Sequence, residues 1–567
     1  MIAARRVSPA TALFAVAAAT SGILLLVWQS HLTFFYDDWD PLLHRRGLSG
    51  DALFRPHIDH ILLATTVVYK AIQATIGMES LLPFAVASTS TFLLSVVLLF
   101  VYLRHRVGEW FALAGVGPIL FLGSANTDLL LPFQIFFFGA MACGLGALLI
   151  IQRRDHRLDG LACVLLVVSF SFSELALPFL LGIAVAIAQD RGPLRRAYVV
   201  VVPALLYAAW YAGWGHTAPS YLSFDNVARS LPYVLDGVAS GLASLLGLTP
   251  DGFISGSGLD WGRPLLLAVL VGVALRMRSG APISRWFWVT LVILLSFWFL
   301  TAINATFARP PSAPRYQYIA AVLILLVAAD LAGGTFRPRT PLIIVALGVA
   351  TMATVSNLAA LHDGYLRWRA PTPAVRGGLA GLEMESDRVD PALVLDAQNS
   401  GFNYIGSIQA GPYLSAVRAF GSPAYSESEL PAAPEHARAA ADKVMATALG
   451  VAVRPTTHRP AVGRQPPSLL GSPESLVRAR GACITVRPSG LGVRVLSLPP
   501  GGVLLTAPSS VTARLGLRRF ATESFPVTAG ELTGSTLLTI PADGSSHPWQ
   551  LALDATGPVT ACGTRTD

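Results

Sequence analysis

Between residues 12 and 360 the chain is a succession of apolar runs of about 15 to 30 residues. Short stretches rich in arginine and proline separate these runs. No soluble fold hides that much continuous apolar surface, because each run needs hydrocarbon or other protein on every side. The charged fraction is 13% and the mean hydropathy +0.57, against about 25% charged residues in ordinary globular chains. Residues 1–364 are therefore expected to form a polytopic α-helical membrane domain. The first run, 12–32, leads straight into further apolar segments, so it reads as a retained span and not as a cleaved signal.

The net charge of +8 points to a membrane and not to nucleic acid, because of where the charges fall. Arg5–Arg6, RHR at 104–106, QRRDHR at 152–157, DRGPLRR at 190–196, RMRSGAPISR at 276–285 and RPRT at 337–340 all lie between apolar blocks. That is the pattern of cytoplasmic loops under the positive-inside rule. Taking those loops as cytoplasmic gives about eleven spans. The N-terminus is then cytoplasmic, the final 200 residues are extracytoplasmic, and the setting is a bacterial plasma membrane. Residues 57–77 are expected to be a polar helix lying at the outer face, since His57, Asp59, His60 and Lys70 are costly at mid-membrane. The run 160–189 is broken by SFSELALP, which places Glu174 at an outer turn between two short spans.

From about residue 365 the texture changes. Residues 365–480 mix Pro, Ala and Ser with helical fragments such as 434–449, and 481–567 read as short strands divided by Gly, Pro and Ser. The expectation is an extracytoplasmic α+β region ending in a small β-sandwich of jelly-roll type. Cys483 and Cys562 bracket that sandwich and could form a disulfide in an oxidising compartment. Cys143 and Cys163 lie within apolar runs and read as inert core thiols.

Ionisable groups at membrane depth usually face a cavity and carry function. Residues 34–40 read FFYDDWD, directly after the first span. Asp37 and Asp38 are candidates for a general base or for divalent-cation ligands. They also read as acids at a helix end, with Tyr36 and Trp39 as interfacial anchors. In RPHIDHI, residues 55–61, a helix would put His57 and His60 on one face with Asp59 at an angle, which suits hydrogen bonding to a substrate or ligation of a metal. ARPPSAPRYQY, 308–318, offers Arg309, Arg315 and Tyr316 at an outer turn. There arginine either snorkels to headgroups or grips a phosphate.

This arrangement resembles the GT-C-fold glycosyltransferases. More narrowly, FFYDDWD followed by PHIDH is similar to bacterial GT-C-like membrane proteins with a DDW motif and a PH-x-(E/D)-H motif. The resemblance covers roughly residues 10–360. It implies a polyprenyl-phosphate-linked sugar as donor and a catalytic or metal-associated carboxylate at Asp37 or Asp38. It also implies a lipid phosphate near Arg315 or Arg309, and a divalent cation such as Mg or Mn, for which Asp38, His57 and His60 are the candidate ligands. Tyr36, Trp39, His57, Asp59, His60, Glu174, Arg309, Arg315 and Tyr316 are the candidate substrate contacts. Ile58 and Asp59 stand where relatives often have Asn and Glu.

The expected reaction is a single inverting displacement onto a cell-envelope glycan or lipid acceptor at the outer face. The C-terminal sandwich is either an acceptor-glycan binding module or a lid. A lipid-linked-glycan flippase is the rival reading, although transporters tend toward internal repeats and midplane charges. A non-catalytic envelope-assembly protein on the same scaffold is the third.

Overall fold

The computed structural model describes residues 8–45, 47–153, 155–190, 192–249, 259–280, 282–333, 339–396, 407–456, 463, 465–470, 476–487, 493–532, 534–541 and 545–564. Of the basic clusters, Arg5, Arg6, Arg154, Arg191, Arg337 and Pro338 lie outside them. Two compact units emerge. One comprises Met1–Leu32, Asp40–Ile76 and Ser80–Trp368; the other comprises Thr33–Trp39, Gly77–Glu79 and Arg369–Asp567.

In the first unit, six helices of the described residues are long and apolar enough to cross a membrane. Five are Pro9–Gln29, Leu82–Val107, Pro132–Gln152, Arg285–Ile303 and Pro314–Ala332, and the sixth begins at Thr340. Glu109–Leu120 and Gly123–Leu130, bent by 44° at their junction, make a seventh if taken as one span. Ala176–Ala188 and Tyr198–Gly213 are shorter apolar helices. By length and composition the count is thus six or seven, below the eleven expected. The difference lies in short helices and in Leu259–Arg278, whose ends carry charge.

The bend has a local cause. Gly123 sits so close to the helix Thr340–Arg369 that a Cβ there would meet the Asn357 carbonyl oxygen at 2.4 Å. Buried Asn357 accepts the Gly123 N–H at 3.1 Å and donates to the Ser244 carbonyl at 3.0 Å, which pins the break between its neighbours.

The unit has two chemically distinct ends. At one, arginines from successive loops are tied to acids. Arg106 pairs with Asp330 at 2.7 Å, Arg285 with Asp190 at 2.6 Å, and Arg196 with Asp159 at 2.6 Å and with Asp190. Ser8, the cap of the first helix, reaches Glu109 at this same end. At the other end, Trp210 donates to the Phe54 carbonyl (2.8 Å), Trp214 to Asp51 (3.0 Å), Asn226 to the Ile303 carbonyl (3.2 Å) and Tyr233 to the Arg309 carbonyl (2.8 Å).

Residues 57–77 are not one helix. His57 and His60 face each other across a tight turn, and the helix starts only at Leu63 and ends at Thr75. The expected helix near 228–248 is Ser230–Leu245, where small residues let it approach its neighbours: Gly237 lies against Trp298 and Gly241 against Ala320.

In the second unit, helices Thr372–Met384 and Glu435–Ala448 pack closely because Gly377 and Gly381 lie directly on the backbone at Ala437 and Ala441. β1 (Val394–Leu395) pairs antiparallel with β2 (Ile408–Gln409). Eleven strands follow: β3 Ala452–Pro455, β4 Ser468–Leu470, β5 Leu476–Arg480, β6 Cys483–Val486, β7 Arg494–Ser497, β8 Val503–Thr506, β9 Ala513–Arg518, β10 Val527–Leu532, β11 Ser535–Thr539, β12 Gln550–Ala555 and β13 Val559–Gly563.

They form two antiparallel sheets ordered β10-β9-β12-β7-β4 and β3-β11-β8-β13-β6-β5. The chain alternates between sheets from β6 to β9, as a jelly-roll-like sandwich requires. Leu496, Leu515, Leu517 and Leu551 from one sheet share a core with Val503, Leu505, Leu538 and Ala561 from the other, closed at one side by Ala437, Ala441 and Met445. Cys483 and Cys562 stand opposite each other on β6 and β13 and are disulfide-bonded. The sandwich starts at β3, before the boundary expected at 481, because β3, β4 and β5 belong to its sheets.

Candidate functional site

The first unit gathers charge at the end away from the arginine-tied loops, around two short motifs. Asp40–His44 winds as a single π-helical turn, a form that occurs mostly as local insertions at functional sites. The Asp40 carboxylate is the hub of this turn. It accepts from Arg45 Nε at 2.5 Å and lies 3.3 Å from His57 Nδ1, 3.5 Å from Arg55 and 3.9 Å from His44. Burial alone would raise its pKa. The His57 hydrogen bond and the Arg45 charge outweigh burial and hold it well below the usual carboxylate range. Arg45 is itself fully buried and also donates to the Arg55 carbonyl at 2.7 Å, so the 40–45 turn is locked onto 55–57.

The second motif is the turn His57–His60. Each histidine accepts the other's backbone N–H, at 2.9 and 2.8 Å, and Ile58 takes a φ of +55°. A β-branched residue in that region is strained. Among the described residues only Tyr36 (φ +43°) and Ile58 are non-glycine residues with positive φ, and each falls in one of the two motifs singled out from the sequence. The turn aims the two imidazoles at different acids, His57 at Asp40 and His60 at Glu174.

A chain of ion pairs runs outward from His60. Its Nδ1 is 2.8 Å from Glu174 and its Nε2 is 3.4 Å from Asp59. The other Glu174 oxygen accepts the Ile61 N–H at 2.6 Å. Asp59 receives both Arg309 terminal nitrogens, at 2.7 and 2.9 Å, the bidentate geometry that makes such pairs strong. The Arg309 guanidinium also lies over the Tyr221 ring at 5.3 Å. Burial would lower the His60 pKa, but the Glu174 charge and hydrogen bond, with Asp59, raise it above the ordinary histidine value. Burial would raise Asp59; the His60 and Arg309 charges lower it instead. The aromatic floor is Phe136 and Phe137 beneath His60 and Phe133 beside His57.

Beyond Arg309 the field continues through buried Tyr316, whose phenol feels Arg315, Arg309, Asp59 and Asp128 together. Arg315 donates to the Ala308 carbonyl at 2.9 Å and has no carboxylate within ion-pair distance among the described residues. Its charge is therefore available to an anion, whereas that of Arg309 is already matched by Asp59.

The structure thus brings together His57, Asp59, His60, Glu174, Arg309, Arg315 and Tyr316. The remaining candidates, Tyr36, Asp37, Asp38 and Trp39, fold with the second unit. There Asp38 is fully buried and accepts the Phe35 N–H at 3.0 Å, capping the turn Tyr36–Asp38. Asp37 is half-buried. Trp39 is not an interfacial anchor: its ring is 1% exposed and packs edge-on against Tyr413 at 5.9 Å and against Phe34 at 5.4 Å.

The histidines, expected on one helix face as possible metal ligands, sit on a turn and engage separate acids. Among the described residues no three His, Cys, Asp or Glu side chains form a metal-holding group.

Asp40, Arg45 and Tyr221 were not singled out as site residues. Asp40 is the third acid of FFYDDWD and Arg45 follows in HRRG, so proximity to the motif was the available signal; Tyr221 offered none. No known family model matches the chain, and a search of the curated proteins finds no match for it.

Proposed function

We propose that the chain is an integral membrane glycosyltransferase that moves a sugar from a polyprenyl-phosphate donor to a cell-envelope acceptor at the outer face. The observation that carries this reading is the meeting of Asp59, His60, Glu174, Arg309 and Tyr316, with Arg315 beside them, from three separate loops at one end of the helical unit. That end is opposite the arginine-rich loops, which the positive-inside rule assigns to the cytoplasm. With about eleven spans of unequal length, the sandwich is then extracytoplasmic, where its disulfide persists.

Arg315 is the residue for the donor phosphate, since among the described residues no carboxylate lies within ion-pair distance of its guanidinium, whereas Arg309 is matched by Asp59. Charge stabilisation of the departing phosphate is the main catalytic contribution required, because that group leaves as a stable anion. Asp59, Arg309, His60 and Glu174 are positioning residues that hold the loops rigid by mutual neutralisation. The base is drawn from the tandem acids. Asp37, half-buried, is preferred to Asp38, which is fully buried.

The test is transfer from a radiolabelled polyprenyl-phosphate sugar by the purified protein, alongside glycan analysis of the envelope. Asp37→Asn and Arg315→Gln should each lower transfer at least tenfold while the protein stays folded. An envelope unchanged by both substitutions would turn the reading toward a non-catalytic assembly protein.

A further inference from the structure

Asp128 has no place in the mechanism above, yet it is the most exceptional acid in the first unit. It lies on the short helix Asn126–Leu130, just past the pinned bend, and is 0% exposed. Among the described residues neither carboxylate oxygen has a hydrogen-bond partner. The same stretch carries three further buried side-chain oxygens without a partner, on Ser124, Asn126 and Gln134.

Buried polar groups are almost always satisfied, and a bare buried carboxylate is costly. The bare side-chain oxygens carried by residues 124–134 therefore mark a stretch that a hydrogen-bonding ligand completes. A cation would also satisfy oxygens, but Arg315 is the charged group acting on Asp128, and its positive field opposes a second cation. What suits bare oxygens on the helix Asn126–Leu130, which packs against the helix Pro314–Ala332 that carries Arg315 and Tyr316, is a molecule with hydroxyls and one anionic group.

Resting on the glycosyl-transfer reading, we propose that Asp128 is the sugar-recognition residue of the donor site, accepting hydrogen bonds from the sugar's hydroxyls while Arg315 holds its phosphate. Broken helices are tolerated at membrane depth where they line a cavity, and the bend at Gly123 gives these side chains a backbone that does not run on as a regular helix.

The test uses the full chain in nanodiscs with two soluble probes, farnesyl phosphate and a panel of farnesyl phosphates esterified with single hexoses or pentoses. The wild type should bind at least one sugar-bearing probe more tightly than the bare phosphate. Asp128→Asn should weaken that probe about tenfold or more, the scale of a lost hydrogen bond that leaves its partner unsatisfied, and leave farnesyl phosphate within about twofold. Arg315→Gln should weaken both. Thermal unfolding should leave Asp128→Asn close to the wild type, since the amide keeps the shape and no hydrogen bond within the described residues is lost.

Equal weakening of both probes by Asp128→Asn, no weakening, or a clear fall in melting temperature would each overturn the assignment while leaving the transferase reading standing. Failure of the wild type to bind either probe would overturn both.

Discussion

Glu174→Gln tests the ion-pair chain at its most connected point. The carboxylate makes two contacts, to His60 Nδ1 at 2.8 Å and to the Ile61 N–H at 2.6 Å. Glutamine keeps the size and an acceptor oxygen, so the Ile61 bond survives as a neutral one, while the attraction to a protonated His60 is lost. Hydrogen bonds to charged groups contribute about 1.5–3 kcal/mol. With both side chains less than a third exposed, about 2 kcal/mol is expected at acid pH, roughly 30-fold in the folding equilibrium.

The pH dependence fixes the cause. His60 has a folded pKa raised above its unfolded value near 6.5, so its contribution is fully present below that value and fades as pH rises through the folded pKa. A double-mutant cycle of Glu174→Gln with His60→Gln, read by thermal unfolding in detergent from pH 5.5 to 9.5, should give a coupling of about 2 kcal/mol at the acid end. That coupling should decline toward zero at the alkaline end. Coupling that is flat across this range, or absent at pH 5.5, would refute the imidazolium assignment.

Arg309→Met should leave the Asp59 carboxylate partly buried and unmatched, costing about 2–4 kcal/mol, and Asp59→Asn in the same protein should recover part of that loss in thermal unfolding. Gly123→Ala puts a methyl 2.4 Å from the Asn357 oxygen and should destabilise the first unit by about 1–3 kcal/mol, measured in the same way. Cys483→Ser opens a cross-link spanning 79 residues and should cost roughly 4.5 kcal/mol by loop entropy, seen as reductant-insensitive early melting of the sandwich. In the second unit, Glu435 accepts the backbone N–H groups of Thr522, Glu523 and Ser524. Burial would raise its pKa, but those bonds bring it down to about 2. Its contribution is present above the unfolded value near 4.5 and should fade between pH 4.5 and 2, and Glu435→Gln should abolish that part of the acid transition.

The apolar runs, the arginine loops between them and the small-residue strand punctuation determined the apolar helical unit and the β-rich tail, and the placement of Cys483 and Cys562 at the ends of that tail offered the disulfide. These are properties of period and composition, carried by each segment alone. The two motifs and Arg309, Arg315 and Glu174 were also legible, because charge at the edge of an apolar run is conspicuous. The tertiary structure alone decided the partners.

Nothing in PHIDH announces that His57 and His60 face each other across a strained turn, or that one imidazole serves Asp40 and the other Glu174, 114 residues away. Asp37 and Asp38 look equivalent in sequence; in the fold Asp38 is fully buried and Asp37 only half-buried. The β3, β4 and β5 strands escaped because short edge segments gain their structure from neighbours and not from their own pattern. Periodicity reports which face of a segment is apolar. Which charge meets which depends on where several segments end in space, and that is set by packing at glycines such as Gly123 and by buried amides such as Asn357.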